Sequence, residues 1–306
     1  MAGVGRRLLK IAAWMFGGLI VLVIAIAIVV VVMSNRELAQ KVTVPARVAE
    51  IRIPDGDPEA IARGQYLVDH VLGCKTCHAQ DLAGRAEVDD PMIGTLWGPN
   101  LTSGGGSVTQ TFTPVDWVRA IRHGVAPDGH RLVLMPSEDF TSFSDEDLGA
   151  IVAYIKSMPP VDRPNRGIRV GPLGRVLLVT HQVGFAFGKI DHDAPRPHVS
   201  PSASAEWGQV LAGACRGCHG DGLSGGRIPG ADPAWPPARN LTPDETGLKG
   251  WTVETFSNAF RHGKRPDGTS LTDVMPWKAF GGMTDTDVTA LFSYLQTLPP
   301  RPFGGR

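Results

Sequence analysis

Two five-residue stretches constrain the rest of the chain: Cys74-Lys75-Thr76-Cys77-His78 and Cys215-Arg216-Gly217-Cys218-His219. Each sets two thiols two residues apart and follows the second directly with an imidazole. With this spacing a chain adds its cysteines across the two vinyl groups of a haem and places the histidine under the iron as proximal ligand. A single Cys-x-x-Cys is equally the half-site of a zinc centre or a redox dithiol. Two copies in the same surrounding sequence favour haem. The expectation is therefore two covalently bound haem c groups, one on Cys74 and Cys77 and one on Cys215 and Cys218, with His78 and His219 as axial iron ligands. The two motifs use all four cysteines, so no disulfide framework is available.

The next constraint is an uncharged run from Ile11 to Met33. As a helix it would be about 35 Å long, enough to cross a bilayer with some tilt. Arg6, Arg7 and Lys10 precede it, which by the positive-inside tendency leaves the N-terminus in the cytoplasm and exports the remainder. A cleaved signal peptide has an apolar core of about 7–15 residues and a small-residue cleavage site. The run is longer than that, and Val30-Val31-Val32-Met33-Ser34 is a poor site, so an uncleaved anchor in the bacterial cytoplasmic membrane is expected. Haem c is attached on the periplasmic side of that membrane, so anchor and motif point to one compartment. The formal net charge of zero gives no reason to expect nucleic acid as a partner. Membrane lipid is expected as one through the N-terminal helix.

Compared with itself, the chain repeats. Asn100-Leu101-Thr102 returns as Asn240-Leu241-Thr242, Arg122-His123-Gly124 as Arg261-His262-Gly263, Pro127-Asp128-Gly129 as Pro266-Asp267-Gly268, and Met135-Pro136 as Met275-Pro276. The segmentation expected is an anchor over 1–34, a stalk over 35–56, a first domain over 57–160, a linker over 161–204 and a second domain over 205–306. Each unit reads as helical. Thr113-Pro114-Val115-Asp116 opens a helix with a cap and a proline at its first position, and Thr252 opens its counterpart. Ser144 and Thr284 precede the clearest helices, where Leu148, Ile151, Val152 and Ile155 match Val288, Leu291, Phe292 and Leu295 at helical spacing. The fold class expected is all-α, two tandem domains after one transmembrane helix. The linker is expected to pack against one domain.

An electron-transfer haem needs a second axial ligand. The repeat retains two candidate pairs, Met135 with Met275 and His123 with His262. The methionines are chosen, because each precedes a proline in a loop between helices, 57 and 56 residues after the proximal histidines. The histidines stand before a glycine at a helix end, where an imidazole caps the last carbonyls. His/Met ligation raises the reduction potential and closes the iron to small ligands. Pro99 is expected to orient His78 through its carbonyl. Arg239 occupies that position in the second unit, so the role is not expected to carry over cleanly. Arg122 and Arg261 are candidate propionate partners, with solvated arginines as the alternative. Trp97, Trp117, Trp251 and Trp277 are candidate haem neighbours or core residues.

Taken together these residues resemble the class I cytochrome c family in a membrane-anchored dihaem form. Asn240-Leu241-Thr242-Pro243-Asp244, Phe260-Arg261-His262-Gly263 and Asp267-Gly268 ahead of Met275-Pro276 are similar to the cytochrome subunits of bacterial alcohol and gluconate dehydrogenases. The resemblance implies a small helical fold around each haem and passage of single electrons in the periplasm, not catalysis. Two ligated irons and an anchor then favour a relay with a dehydrogenase as donor and another cytochrome or a terminal oxidase as acceptor. A dihaem peroxidase or a haem-based sensor is the alternative, and either would need one open iron site.

Overall fold

The computed structural model describes residues 2–44, 50–196 and 198–306. Residues 45–49, in the middle of the expected stalk, lie outside the described residues, as do Met1 and Pro197.

Helix α1 (Ala2–Ala39) contains the apolar run and carries it past Met33. From Leu8 to Met33 its large apolar side chains are exposed apart from the half-buried Val30, as in a helix whose neighbour is lipid. Its C-terminal end is tied down rather than hanging free. Arg131 Nη2 donates to the Glu37 carboxylate at 2.7 Å and to its carbonyl at 2.8 Å. The Val42 N–H donates to the Gly129 carbonyl at 2.9 Å, and Ile51 is buried in the core.

In the first half, α2 (Pro58–Tyr66) is capped by Asp57 and leads through a wide π-helical turn, Leu67–Val71, into α3 (Cys74–His78). Next come strands β1 (Arg85–Asp90) and β2 (Gly94–Gly98), then α4 (Pro114–His123) and a 3₁₀ turn, Ser137–Phe140. The half ends with α5 (Asp145–Ser157). The connecting segment supplies β3 (Ile168–Val170), α6 (Pro172–Val179) and a 3₁₀ turn, Ala186–Lys189. The second half repeats the helical part: α7 (Ala205–Leu211), a 3₁₀ turn over Ala212–Cys215, α8 (Arg216–His219), α9 (Val253–His262), α10 (Trp277–Phe280) and α11 (Asp285–Thr297). The caps read from the sequence form: Thr113 and Thr252 close capping boxes, and Ser144 and Thr284 accept from the third backbone N–H of α5 and α11.

Each half is built on a crossing of its first and last helices. At Gly64 a Cβ would lie 1.9 Å from the Ala150 carbonyl oxygen, and at Gly208 it would lie 1.9 Å from that of Ala290. Only glycine allows the two backbones this close. The same crossings pair Arg63 with Asp147, at 2.9 Å, and Trp207 Nε1 with Asp287, at 2.6 Å. Gly64 stands ten residues before Cys74, but Gly208 only seven before Cys215. The π-helical turn and the tighter 3₁₀ turn absorb that difference. Repeat alignment through the cysteines alone therefore mispairs α2 with α7.

The expectation of an all-α chain fails in one place. A three-stranded antiparallel sheet, ordered β1-β2-β3, inserts after the first motif and recruits its third strand from the connecting segment. Its hairpin is closed by Asp90, whose carboxylate accepts from the N–H groups of Met92 and Ile93, each at 2.8 Å. The strands are short and none of their residues is buried, so their alternation in the sequence is faint. The second half has no counterpart among the described residues.

The halves touch reciprocally. The Tyr66 hydroxyl bonds the Asp287 carboxylate and accepts from the Thr284 N–H at 3.0 Å, and His70 Nδ1 bonds the Ala279 carbonyl at 3.0 Å. From the other side, Ser142 Oγ donates to the Val210 carbonyl at 2.9 Å, and Asp139 lies against Gly213 and Gly217. Thus the corner before each Cys-x-x-Cys-His motif packs on the turn that follows the other half's Met-Pro pair.

Candidate haem sites

Each motif forms a single helical turn that ends in positive φ, at Ala79 (65°) and Gly220 (81°). The chain then loops back through Leu82 and Leu223, both at φ 55° and both fully buried. A left-handed leucine costs of order 1–2 kcal/mol. It is held in each half by the next loop, with Leu101 N–H donating to the Leu82 carbonyl and Leu241 N–H to the Leu223 carbonyl, each at 2.8 Å. Nothing in a leucine signals this role; only the repeated Asp81-Leu82-Ala83-Gly84 and Gly222-Leu223-Ser224-Gly225 spacing hints at it.

That loop carries the carbonyl that orients the histidine. His78 Nδ1–H donates to the Pro99 carbonyl at 2.9 Å, and His219 Nδ1–H donates to the Arg239 carbonyl at 2.7 Å. The bond uses the main chain, so exchanging Pro99 for Arg239 leaves it intact and the role carries over after all. With Nδ1 protonated, the Nε2 lone pair is free for a metal. Burial holds both imidazoles below the ordinary histidine range, and the carbonyls pull the other way.

Burial pushes the thiols up, Cys74 and Cys215 to about 12 and Cys77 to about 11, and raises Cys218 as well. All four are free of disulfides. Among the described residues no group of three or more His, Cys, Asp or Glu side chains stands together to complete a zinc site around either pair.

Asn100 and Asn240 lock the carbonyl loop. Asn100 Oδ1 accepts from Thr102 N–H at 2.9 Å while its Nδ2 donates to Val161 at 2.8 Å. Asn240 does the same with Thr242 at 2.9 Å and Arg301 at 2.7 Å. Both side chains are buried, and they bind the chain that leaves the last helix to the loop under the histidine.

Met135 and Met275 are half-buried against the core, each followed by proline and one helical turn. In the second half His219, Cys215, Cys218 and Met275 line one cavity of about 1430 Å³ with Leu241, Trp251 and Phe260. Met135, Gly73 and Thr76 open onto the same cavity from the first half, whereas His78 lies outside it. Its wall keeps Arg216 Nε and Glu138 Oε2 buried without hydrogen-bond partners. An apolar cavity with thiols, an imidazole, a thioether and unpaired polar atoms at its edge fits a haem.

Other expectations change. Arg122 is not solvated: buried, it donates to Asp145 at 2.5 Å and to the Phe143 carbonyl at 3.0 Å. Arg261 repeats this with Asp285 at 2.8 Å and the Gly281 carbonyl. Both tie one helix to the cap of the next and are not available to propionates. The helix ends at His123 and His262 are capped by left-handed Gly124 and Gly263, not by imidazoles. His123 is buried against His192 of the connecting segment, Nδ1 to Nδ1 at 2.8 Å, and burial with the neighbouring cations lowers it to about 4. His262 is exposed.

Two arginines were missed. Arg239, in the loop whose carbonyl bonds His219, and Arg265, in the loop after α9, line the cavity, and neither has an ion-pair partner among the described residues. They are close enough that Arg239, after burial, helps lower Arg265. The corresponding positions in the first half are Pro99 and Ala126. A repeat search discards such unmatched residues.

The sequence is similar to known proteins over most of its length. The pattern of the family described as cytochrome c oxidase, cbb3-type, subunit III, matches residues 59–155 and 204–295. The chain is 28% identical, over 285 residues, to the cytochrome c subunit of a quinone alcohol dehydrogenase from Gluconacetobacter polyoxogenes, covering 84% of this chain and 60% of that one. It is 30% identical, over 278 residues, to a gluconate 2-dehydrogenase cytochrome c subunit from Pantoea cypripedii, covering 78% and 59%. It is 33% identical, over 99 residues, to a dihaem cytochrome of c type from Cereibacter sphaeroides, covering 29% and 33%. The chain thus spans about 60% of the length of the two dehydrogenase subunits. With both matched segments containing, near their start, a Cys-x-x-Cys-His motif whose histidine is held by a main-chain carbonyl, the chain belongs to the cytochrome c family of the cbb3-type oxidase subunit III.

Proposed function

We propose that the chain is a membrane-anchored dihaem cytochrome, with two tandem class I domains over about 57–160 and 205–306, that transfers single electrons on the periplasmic side of the bacterial cytoplasmic membrane. The observation that carries this reading is the twice-built histidine site, with Nδ1 bonded to a carbonyl at 2.9 and 2.7 Å directly after a Cys-x-x-Cys pair of free thiols. Cys74, Cys77, Cys215 and Cys218 would hold haem c through thioethers, and His78 with Met135 and His219 with Met275 would be the ligands of the two irons. When bound, haem supplies a one-electron iron couple. The protein's part is to hold the imidazoles neutral and oriented, to exclude water with the apolar wall, and to meet the carboxylates of the second haem with Arg239 and Arg265.

The relatives' names support a dehydrogenase as electron donor, and the name of the matched family supports a terminal oxidase or another cytochrome as acceptor. The reciprocal packing of motif corners and post-methionine turns supports exchange of electrons within the chain. The test is a haem assay and optical spectra of the full chain matured with its haem. The expected result is two haem c per chain, a methionine-to-ferric charge-transfer band and no spectral shift with carbon monoxide. A haem that takes carbon monoxide readily would defeat the closed His/Met assignment.

A further inference from the structure

Helix α6 stands where the anchor leaves its apolar run. Arg175, the only charged residue of the helix, reaches Ser34 Oγ at 2.6 Å and Asn35 Oδ1 at 2.7 Å. Ser34 follows directly on Met33, the last residue of that run, and is completely covered. These contacts fix α6 at the level where the span ends. On the inner side of the helix, Gly174 lies against the Ile93 carbonyl, where a Cβ would approach to 2.1 Å, and Leu178 is buried. The outer side shows Leu173 and Val176, 43% and 41% exposed, and carries no charge. Met92 and Ile168 flank it, both exposed, with Leu173 N–H donating to the Met92 carbonyl at 2.8 Å. Arg36 and Arg169 are exposed nearby and form no ion pair among the described residues.

We propose that α6 is an interfacial membrane helix: its Leu173 and Val176 side chains enter the headgroup–acyl boundary of the outer leaflet beside α1, while Arg36 and Arg169 meet lipid phosphates. An exposed apolar face continuous with a membrane span would be costly in water and is stabilised by burying its CH₂ groups in lipid. Basic residues at this level gain from anionic headgroups. The first half is then held to the bilayer at two places, the anchor and α6, so that its orientation to membrane-bound partners is fixed instead of swinging on a single tether.

The proposal rests on α1 crossing the membrane, and the test separates the two. Single cysteines are introduced by Leu173→Cys, Val176→Cys, Ala25→Cys within α1 and Glu254→Cys on the second half, each in the full, haem-loaded chain. The native thiols are consumed by haem, so a nitroxide label reports one site. Accessibility to oxygen and to a water-soluble nickel chelate is measured by electron paramagnetic resonance in nanodiscs of phosphatidylcholine and phosphatidylglycerol. Labels at 173 and 176 should favour oxygen several-fold over the label at 254, at a shallower depth than the label at 25. Chelate-accessible labels at 173 and 176, with 25 still in lipid, would overturn the proposal and leave the anchor standing. Labels at 173 and 176 shielded from both reagents would mean protein covers the face, which overturns the lipid assignment. A chelate-accessible label at 25 would remove the anchor and the proposal together.

Discussion

The Tyr66 hydroxyl bonds the Asp287 carboxylate across the boundary between the two halves, and the same carboxylate accepts Trp207 Nε1 at 2.6 Å from within its own half. One buried acid thus links the helix crossing of the second half to the first. Burial and the carboxylate push Tyr66 up to about 12. Tyr66→Phe leaves an acceptor and the Thr284 N–H short of a partner, which should cost about 1–3 kcal/mol in denaturant unfolding. Combined with Trp207→Phe, the loss should be non-additive, because both variants strip the same carboxylate.

The glycine crossings should tolerate nothing larger. Gly64→Ala or Gly208→Ala drives a methyl into a carbonyl oxygen 1.9 Å away. About 3 kcal/mol or more of stability should be lost, read as a lower unfolding midpoint and a poorer yield of haem-loaded chain. Gly188→Ala, which meets nothing within 4 Å and does not line the cavity, is the control.

Asp139 should make the contact between the halves pH-dependent. Burial first, then Glu138, raises its carboxyl to about 7, while the Gly217 N–H pulls it down. A carboxyl with a folded value above its unfolded one stabilises the fold fully below the ordinary carboxylate range. That contribution is lost as pH rises through about 7. Thermal unfolding should therefore show the native chain losing stability between pH 5 and pH 8 relative to Asp139→Asn. An unchanged difference would show that Asp139 does not sit neutral in the contact.

The two sites should differ in reduction potential. Arg239 and Arg265 place two guanidinium groups without ion-pair partners beside the second site, where the first has Pro99 and Ala126. Positive charge favours the reduced iron, so a redox titration of the full chain should resolve two waves. Arg239→Gln with Arg265→Gln should lower only one of them, changing the reduced-to-oxidised ratio at fixed potential by roughly tenfold. Lysine at both positions should largely restore it. The wave that moves should be the one lowered by Met275→His and untouched by Met135→His.

Much of the proposed site is legible in the sequence because thioether attachment would dictate it. Thioether attachment admits only cysteines at one spacing with a histidine beside them, and duplication separated Met135 and Met275 from methionines with no counterpart. Helix caps at Thr113, Ser144, Thr252 and Thr284 were legible because capping is local in sequence. The sheet was not, since β3 comes from more than sixty residues beyond β2 and the strands have little alternation to show.

What the sequence by itself determined is therefore the chemistry and the repeat: four thiols and two imidazoles at attachment spacing, two Met-Pro loops, and an apolar run long enough to cross a bilayer. Only the tertiary structure decided which groups serve those residues. The carbonyl that orients His219 belongs to Arg239, a main-chain role that no side chain reveals. Arg122 and Arg261 turned out to hold helix caps, and His123 to face His192. The physical reason is the same in each case. Main-chain acceptors, buried ion pairs and the corner of α6 beneath Ser34 depend on which distant segments pack together, and packing is set by the whole chain.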